Sequence, residues 1–304
     1  MCTGGLGATT LTSPGAPTLD VPALLSWFER AGRPLPWREP GVGAWAILVC
    51  EVMSQQTPVA RVEPVWRGWL DRWPGPADLA QASPGDVIRM WGKLGYPRRA
   101  LRLQECAVVV VDHHGGRVPT DVDQLLALPG VGDYTARAVA CFAFGQRVPV
   151  VDTNVRRVVA RAVYGRAEAG PPSPRRDVAA VEALLPEGRD RAVAFSVATM
   201  ELGALVCTAR APRCDECPIA ASCTWLAAGR PAWEGPRRRA QTFVGTDRQV
   251  RGLLLDVLRD GDGTATRREL DAVWPDARQR DRALDSLLSD GLMVHAGGHY
   301  SLPE

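Results

Sequence analysis

The sequence predicts an all-α body followed by a small α+β unit. Three observations carry that expectation. Apolar residues recur at helical spacing in 21–31, 44–56, 59–73, 84–93, 98–114, 121–128, 133–144, 153–163, 177–185 and 190–206. Gly/Pro punctuation separates these segments, and strand-like alternation is nearly absent before residue 290. After Cys223 the composition changes, with Gly229, Pro231, Gly235, Pro236 and a run of three arginines reading as a linker over 226–247. The chain has 304 residues, room for one elaborated domain plus a small one. A 46% hydrophobic and 23% charged composition excludes a wholly disordered chain.

The N-terminus is rich in Gly, Thr and Pro. It has neither the basic flank nor the apolar core of a secretory signal, so residues 1–18 are expected to be a disordered tail. No apolar run is long enough to span a bilayer; the run over 44–50 is stopped by Glu51. A cytoplasmic, membrane-free monomer is expected. The net charge of +2 neither argues for nor excludes nucleic acid. The basic residues are all Arg except Lys93, so a reaction needing a lysine amine has one candidate.

The C-terminal unit reads as a helix near 248–259, a turn at 260–263, helices at 266–274 and 278–289, and two short strands around 292–294 and 300–302. Gly297 and Gly298 join the strands. Three helices and a hairpin make a winged-helix-like pattern over 248–304.

Four features carry chemistry. Cys207, Cys214, Cys217 and Cys223 are spaced C-x6-C-x2-C-x5-C. Four thiolates on a short irregular loop can wrap one [4Fe–4S] cube. Zinc is the alternative, but zinc modules usually present two C-x2-C pairs and only one is present. The first interval carries Arg210 and Arg213, which read either as phosphate contacts or as a solvated loop. Next, Leu128-Pro129-Gly130-Val131-Gly132 lies between two amphipathic helices. Such a turn bares N–H groups at the second helix's N-terminus, where they can hold a DNA phosphate. Asp152 follows the apolar run 148–151 and opens a helix. It reads as an N-cap, and the helix terminus should favour its ionised form. Glu51 ends an apolar run on the face of Ile47 and Leu48. Partial burial there would suit a proton donor, although it also reads as the first residue of the helix's polar side.

These pieces occur in one order with Glu51-Val52-Met53-Ser54-Gln55-Gln56-Thr57, Leu94-Gly95-Tyr96, Thr153-Asn154-Val155-Arg156-Arg157 and Met200-Glu201-Leu202-Gly203. Over roughly residues 20–225 the chain resembles the helix-hairpin-helix DNA glycosylases, most closely the adenine DNA glycosylase (MutY) family. The resemblance implies a six-helix barrel with the hairpin over 38–149 and a [4Fe–4S] helical domain built from 19–37 and 150–225. It implies double-stranded DNA carrying a mispair as partner, and adenine opposite 8-oxoguanine or guanine as target. By resemblance Glu51 protonates adenine and Asp152 stabilises the sugar cation, with Tyr134 and Asn154 beside them. Trp37, Arg38 and Glu201 match positions contacting the extruded adenine. Gln55, Gln56 and Thr57 match the loop that meets the opposite base. Tyr96, after Leu94, matches its partner wedge. Gly130, Val131 and Gly132, with Arg210 and Arg213, are the candidate contacts to the DNA backbone.

Two departures stand out. Ser54 occupies a position where the family usually has Leu, and the 57 residues of 248–304 are too few for the family's usual reader of 8-oxoguanine. Tyr134 occupies the place where bifunctional relatives carry a Schiff-base lysine, so the enzyme is expected to be monofunctional. Two alternatives stay open: a thymine/uracil glycosylase acting on G:T and G:U mismatches, and a non-enzymatic iron–sulfur DNA sensor.

Overall fold

The computed structural model describes residues 18–236 and 242–304. The first seventeen residues of the expected tail and residues 237–241 of the expected linker lie outside that range. The helices run, in chain order, α1 (Val21–Ala31), α2 (Ala44–Ser54), α3 (Val59–Arg72), α4 (Pro76–Ala80), α5 (Pro84–Trp91), α6 (Arg98–His114), α7 (Val122–Leu126), α8 (Asp133–Phe144), α9 (Thr153–Ala162), α10 (Pro174–Glu182), α11 (Arg189–Leu205), α12 (Thr224–Ala227), α13 (Asp247–Asp260), α14 (Arg267–Asp271) and α15 (Ala277–Ser289). Three strands, β1 (Thr264–Thr266), β2 (Val294–Ala296) and β3 (His299–Ser301), complete the chain. No described helix is long and apolar enough to cross a membrane.

The chain forms two compact units. The first joins the N-terminal segment up to Arg33 with Arg147–Gly235. Its core gathers Leu24 of α1, Val155, Val158 and Val159 of α9, and Phe195, Ala198 and Leu202 of α11. Helix starts here are set by side chains: Asp20 accepts from Ala23 N–H at 3.0 Å to open α1, and Asp152 accepts from Val155 N–H at 2.7 Å to open α9. The segment after Cys223 is folded rather than extended, since α12 occupies part of it and the Trp225 indole donates to the Pro231 carbonyl at 2.9 Å.

The second unit comprises Pro34–Gln146 and the residues from Pro236 onward. Its central helix, α2, is buried on nearly every side from Trp45 to Met53 and packs on α8 and α3. An all-round apolar surface of this kind marks a helix enclosed by its neighbours. Trp69 meets Trp73 and Trp91 edge-on at 4.7 and 5.6 Å between ring centroids, filling the adjacent core.

The C-terminal module is α13, α14 and α15 with an antiparallel sheet in the order β1-β3-β2. Its sheet has one strand more than the hairpin expected, because β1 is only three residues long and too short to show alternation. The helix α4 escaped the sequence reading for the same reason. The module shares its core with the rest of the unit. Ile88 of α5 is buried among Val250, Leu254, Leu258, Leu287 and Leu292. Arg89 donates to the Leu258 and Arg259 carbonyls at 3.3 and 3.1 Å, and Arg259 donates back to the Ile88 carbonyl at 3.2 Å. Each arginine thus satisfies orphan carbonyls at the other helix's C-terminal end.

Candidate active site and metal centre

In the second unit, Glu51 lies on the last turns of α2 and is 8% exposed. Next to it, burial and the Glu51 charge together push the Cys50 thiol pKa well up, so Cys50 is a neutral, apolar wall. Arg38 acts on Cys50 in the opposite sense, which puts its charge in the same neighbourhood. Trp37, beside Arg38 on a short 3-10 turn at Pro36–Arg38, packs edge-on against Trp66 at 5.7 Å. Tyr134 is half-buried in the first turn of α8, and its neighbour Thr135 accepts from the Gln55 amide at 3.2 Å.

Beyond Glu51 the chain leaves α2 at Ser54, which is half-buried and lies 3.8 Å from the Cys50 sulfur. Gln56 then adopts φ +57° and Tyr96 adopts φ +47°. Residues with side chains rarely enter this left-handed region, and such strain concentrates at functional sites. Arg99 ties the two strained loops together. Its guanidinium donates to the carbonyls of Val52, Met53 and Gln55 at 2.8, 3.0 and 2.7 Å, to the Gly95 carbonyl at 2.9 Å, and to the Thr57 hydroxyl at 3.0 Å. Burial brings the Arg99 pKa down to about 10, which still leaves it a cation at neutral pH. The buried Thr57 hydroxyl in turn donates to the Leu94 carbonyl at 3.2 Å. The Leu94 side chain is buried in the core, and its carbonyl holds the loop through Thr57.

The hairpin turn follows α7. Gly130 has φ +76°, and a Cβ there would sit 3.0 Å from the Arg102 side chain. Val131 is buried and donates to the Leu128 carbonyl at 3.2 Å, and Gly132 is the N-cap of α8. Gly132 is exposed at this helix start, where the positive end of the α8 dipole lies.

The first unit holds Asp152. Its Oδ1 accepts from Val155 N–H at 2.7 Å and its Oδ2 from the Asn154 amide at 2.7 Å. Arg157 continues the chain of bonds, donating to Asn154 Oδ1 at 2.7 Å, to the Gly203 carbonyl at 2.6 Å and to the Cys207 carbonyl at 2.7 Å. Gly203 is required there, because a Cβ would fall 2.6 Å from the Asn154 Cβ. The helix terminus acts on Asp152 in the expected sense, through the Val155 and Asn154 N–H groups, but burial sets the net direction. Burial raises the carboxyl pKa, and the bonds from Val155 and Asn154 and the Arg157 charge only partly oppose it. Glu201 is 1% exposed and accepts from Arg33 through both oxygens, at 2.6 Å from Nε and 2.9 Å from Nη2, and from the Arg33 N–H at 3.0 Å.

Cys207, Cys214, Cys217 and Cys223 line one small cavity with Arg161, Trp225 and Leu226. Among the described residues no three Cys, His, Asp or Glu are gathered as around a single metal ion. Four thiols around a shared space suit a cluster better than one zinc. Backbone N–H groups of Ile219, and of Trp225 and Leu226, support the Cys217 and Cys223 sulfurs. Arg161 lies 3.5 Å from the Cys207 sulfur and stacks on Trp225 at 4.7 Å. Burial and mutual repulsion push the Cys217 thiol up to about 11, so positive metal centres are what would ionise the set. Arg210 and Arg213 are exposed on this loop, and Arg213 is engaged by Glu216 at 2.8 Å.

Residues 49–176 match the HhH-GPD superfamily of base excision DNA repair proteins, and residues 207–223 match the iron–sulfur binding domain of endonuclease III. A Mycobacterium tuberculosis protein named adenine DNA glycosylase is 61% identical over 282 residues, 92% of either chain. The chain belongs to the adenine DNA glycosylase family. A Mycolicibacterium smegmatis relative of the same name is 60% identical over 92% of this chain and 94% of its own. The solved structure of a thermostable thymine-DNA glycosylase superposes with a TM-score of 0.63 at 28% identity, covering 68% of this chain and 95% of that one. Family membership brings the cofactor with it, a [4Fe–4S] cluster.

Motif reading located the carboxylates, the hairpin and the cysteines. It missed the arginines that organise them: Arg33, Arg99, Arg157 and Arg161. Arg157 was inside a motif, yet its reach to Gly203 and Cys207 is set by tertiary packing. Arg99 follows directly on Pro97-Arg98 at the start of α6, with no local pattern to distinguish it from other surface arginines.

Proposed function

We propose that this protein is a monofunctional DNA glycosylase that releases adenine mispaired with 8-oxoguanine or guanine. The 61% identity across 92% of the chain to a relative named for adenine release carries the reading. Adenine must leave the duplex to be attacked. Its departure passes through an oxocarbenium-like state, as in glycoside hydrolysis. Glu51 gives a proton to the adenine ring, and the C1′–N9 bond breaks with its electrons leaving on the base. Asp152 opposes the developing sugar cation as a carboxylate drawn partly out of water, where its charge acts strongly. Water then adds at C1′ and loses a proton. Asn154 and Val155 fix the orientation of Asp152, and Tyr134 flanks the reacting sugar.

Trp37, Arg38 and Glu201, the last in its Arg33 clasp, are each read as contacts of the extruded adenine. Ser54, Gln55, Gln56, Thr57 and Tyr96 form the face toward the opposite base, which Leu94 braces from the core through its carbonyl. The α8 N-terminus at Gly130, Val131 and Gly132 takes a DNA phosphate, with Arg210 and Arg213 as further backbone contacts. Cys207, Cys214, Cys217 and Cys223 would hold the cluster, which supplies bonds that pin the 207–223 loop. Lys93 pairs with Asp256 at 3.7 Å, and position 134 is tyrosine, so no amine is assigned to a lyase step. We read the protein as a cytoplasmic monomer.

The test is single-turnover base release from duplexes with A opposite 8-oxoguanine, G or C, and with T or U opposite G. Adenine release from the first two, with strand breakage only after alkali, is expected. The thymine-DNA glycosylase likeness supports a second reading, which release of T or U in place of adenine would establish. Borohydride trapping on Lys93 would overturn the monofunctional assignment.

A further inference from the structure

The C-terminal module reaches the wedge loop through one side chain. Arg248, in the first turn of α13, donates to the Tyr96 hydroxyl at 2.6 Å and lies 5.6 Å over its ring. On the same ring Arg99 lies at 5.8 Å. Tyr96 is thus in contact with two guanidinium groups, one from α6 and one from α13. It nonetheless keeps 39% of its surface exposed and holds a left-handed φ.

Arg248 also stacks 5.4 Å from the ring of Phe243, which is 52% exposed. The segment carrying Phe243 is fastened to the module. Gly245 N–H donates to Gln249 at 2.7 Å, and Gln279 of α15 donates to the Gly245 carbonyl at 3.0 Å and to Asp247 at 2.9 Å. The module is fixed to the barrel by the Arg89–Arg259 exchange and by an Arg98–Asp290 ion pair at 3.3 Å. A continuous path of contacts therefore runs from the module's core to an exposed aromatic ring in a strained turn.

We infer that Arg248 is a positioning residue for opposite-base recognition: the C-terminal module sets the orientation of Tyr96 through it. This rests on the reading of Tyr96 as a residue that enters the duplex beside the opposite base. Hydrogen bonding to the hydroxyl and cation–π attraction to the ring select one rotamer of an otherwise exposed side chain. A ring already aimed enters the base stack without a loss of rotamer freedom at that moment. Preference among opposite bases then depends on a module that carries none of the assigned catalytic groups.

The experiment is a double-variant cycle in the full-length, cluster-loaded protein. Single-turnover rates and duplex affinities are measured opposite 8-oxoguanine and guanine for Arg248→Ala, Arg248→Lys, Tyr96→Phe and the Arg248→Ala/Tyr96→Phe pair. A fluorescent base analogue beside the opposite base reports insertion of the ring. Arg248→Ala should lower the 8-oxoguanine-over-guanine rate ratio about tenfold and shift the fluorescence. Arg248→Lys should restore part of both, since an ammonium keeps the charge and a donor. Adding Tyr96→Phe to Arg248→Ala should cost little more, because both act on one contact. An unchanged ratio in Arg248→Ala, or losses that simply add in the pair, overturns the inference. So does a loss tracking a lowered melting temperature that Arg248→Lys leaves unrepaired. Absence of adenine release by the unaltered protein would instead strike the functional reading itself.

Discussion

Asp152 is caught in a web of hydrogen bonds, whereas Glu51 lies in a helix whose neighbours are almost all apolar. The first arrangement fixes direction. Both Asp152 oxygens have named donors, Asn154 is held by Arg157, and Gly203 lets the strands of the web approach. The second arrangement fixes surroundings, because α2 packed on α8 and α3 leaves little water around Glu51. The contrast matches the duties proposed for the two groups. A group that must face a developing charge needs orientation, and one that must deliver a proton needs a dry wall. The Asp152 web also shows a limit: several donors and a nearby cation do not fully compensate burial.

The comparison breaks most sharply at Glu51. Glu51→Gln keeps shape and burial, so its melting temperature should stay close to the parent while base release falls by about 10²–10⁴-fold. Full activity in single-turnover assays would remove Glu51 as the acid. Asp152→Asn should lose activity too, by about a hundredfold or more, but with a pH-dependent mark on stability. Burial raises the Asp152 pKa, so ionisation costs more in the folded state than in the unfolded one. That carboxyl favours folding in acid and loses the benefit as pH climbs through its folded value. Asn carries no such cost, although its NH2 must face one of the two donors that Asp152 accepts from, so the variant's melting temperature should gain on the parent's as pH rises toward 7. That gain should vanish as pH falls toward the ordinary carboxyl value of 3.8. Parallel melting curves at both pH values would contradict the burial argument.

Arg157→Ala sharpens the account of the web. It strips a donor from Asn154, Gly203 and Cys207 together and should cost about 2–4 kcal/mol in denaturant unfolding. Arg157→Lys should recover little, because one ammonium nitrogen cannot occupy the places of both Nε, on the Cys207 carbonyl, and Nη2, on Asn154 and Gly203. The smallest effect is expected at Gln56. Gln56→Gly relieves a left-handed φ and should change stability by no more than about 1 kcal/mol, upward. A loss of stability there would mean that the Gln56 side chain, not the backbone, holds the loop.

Helix positions were legible because each long helix repeats its apolar face several times; α6 and α8 match their predicted bounds. Elements of three to five residues, such as β1 and α4, offer no repeat to read. The catalytic candidates were legible as residue types in a fixed order. Their partners were not, since Arg33 reaches Glu201 across 168 positions and Arg99 reaches Gln55 across 44. Sequence spacing says nothing of such spans. The net direction of the Asp152 pKa was not legible for a related reason: a helix terminus is local and visible, but burial is a property of the whole unit.

The crossed arginines between α5 and α13 have a practical cost for anyone trimming this molecule. Cutting the chain ahead of α13 would uncover Ile88, leave the Ile88 carbonyl without its Arg259 donor and release Arg89 into solvent. What remained would be a wounded barrel with an unsettled wedge loop. Any change in its behaviour toward DNA would mix two injuries, and only point changes at the seam can separate them.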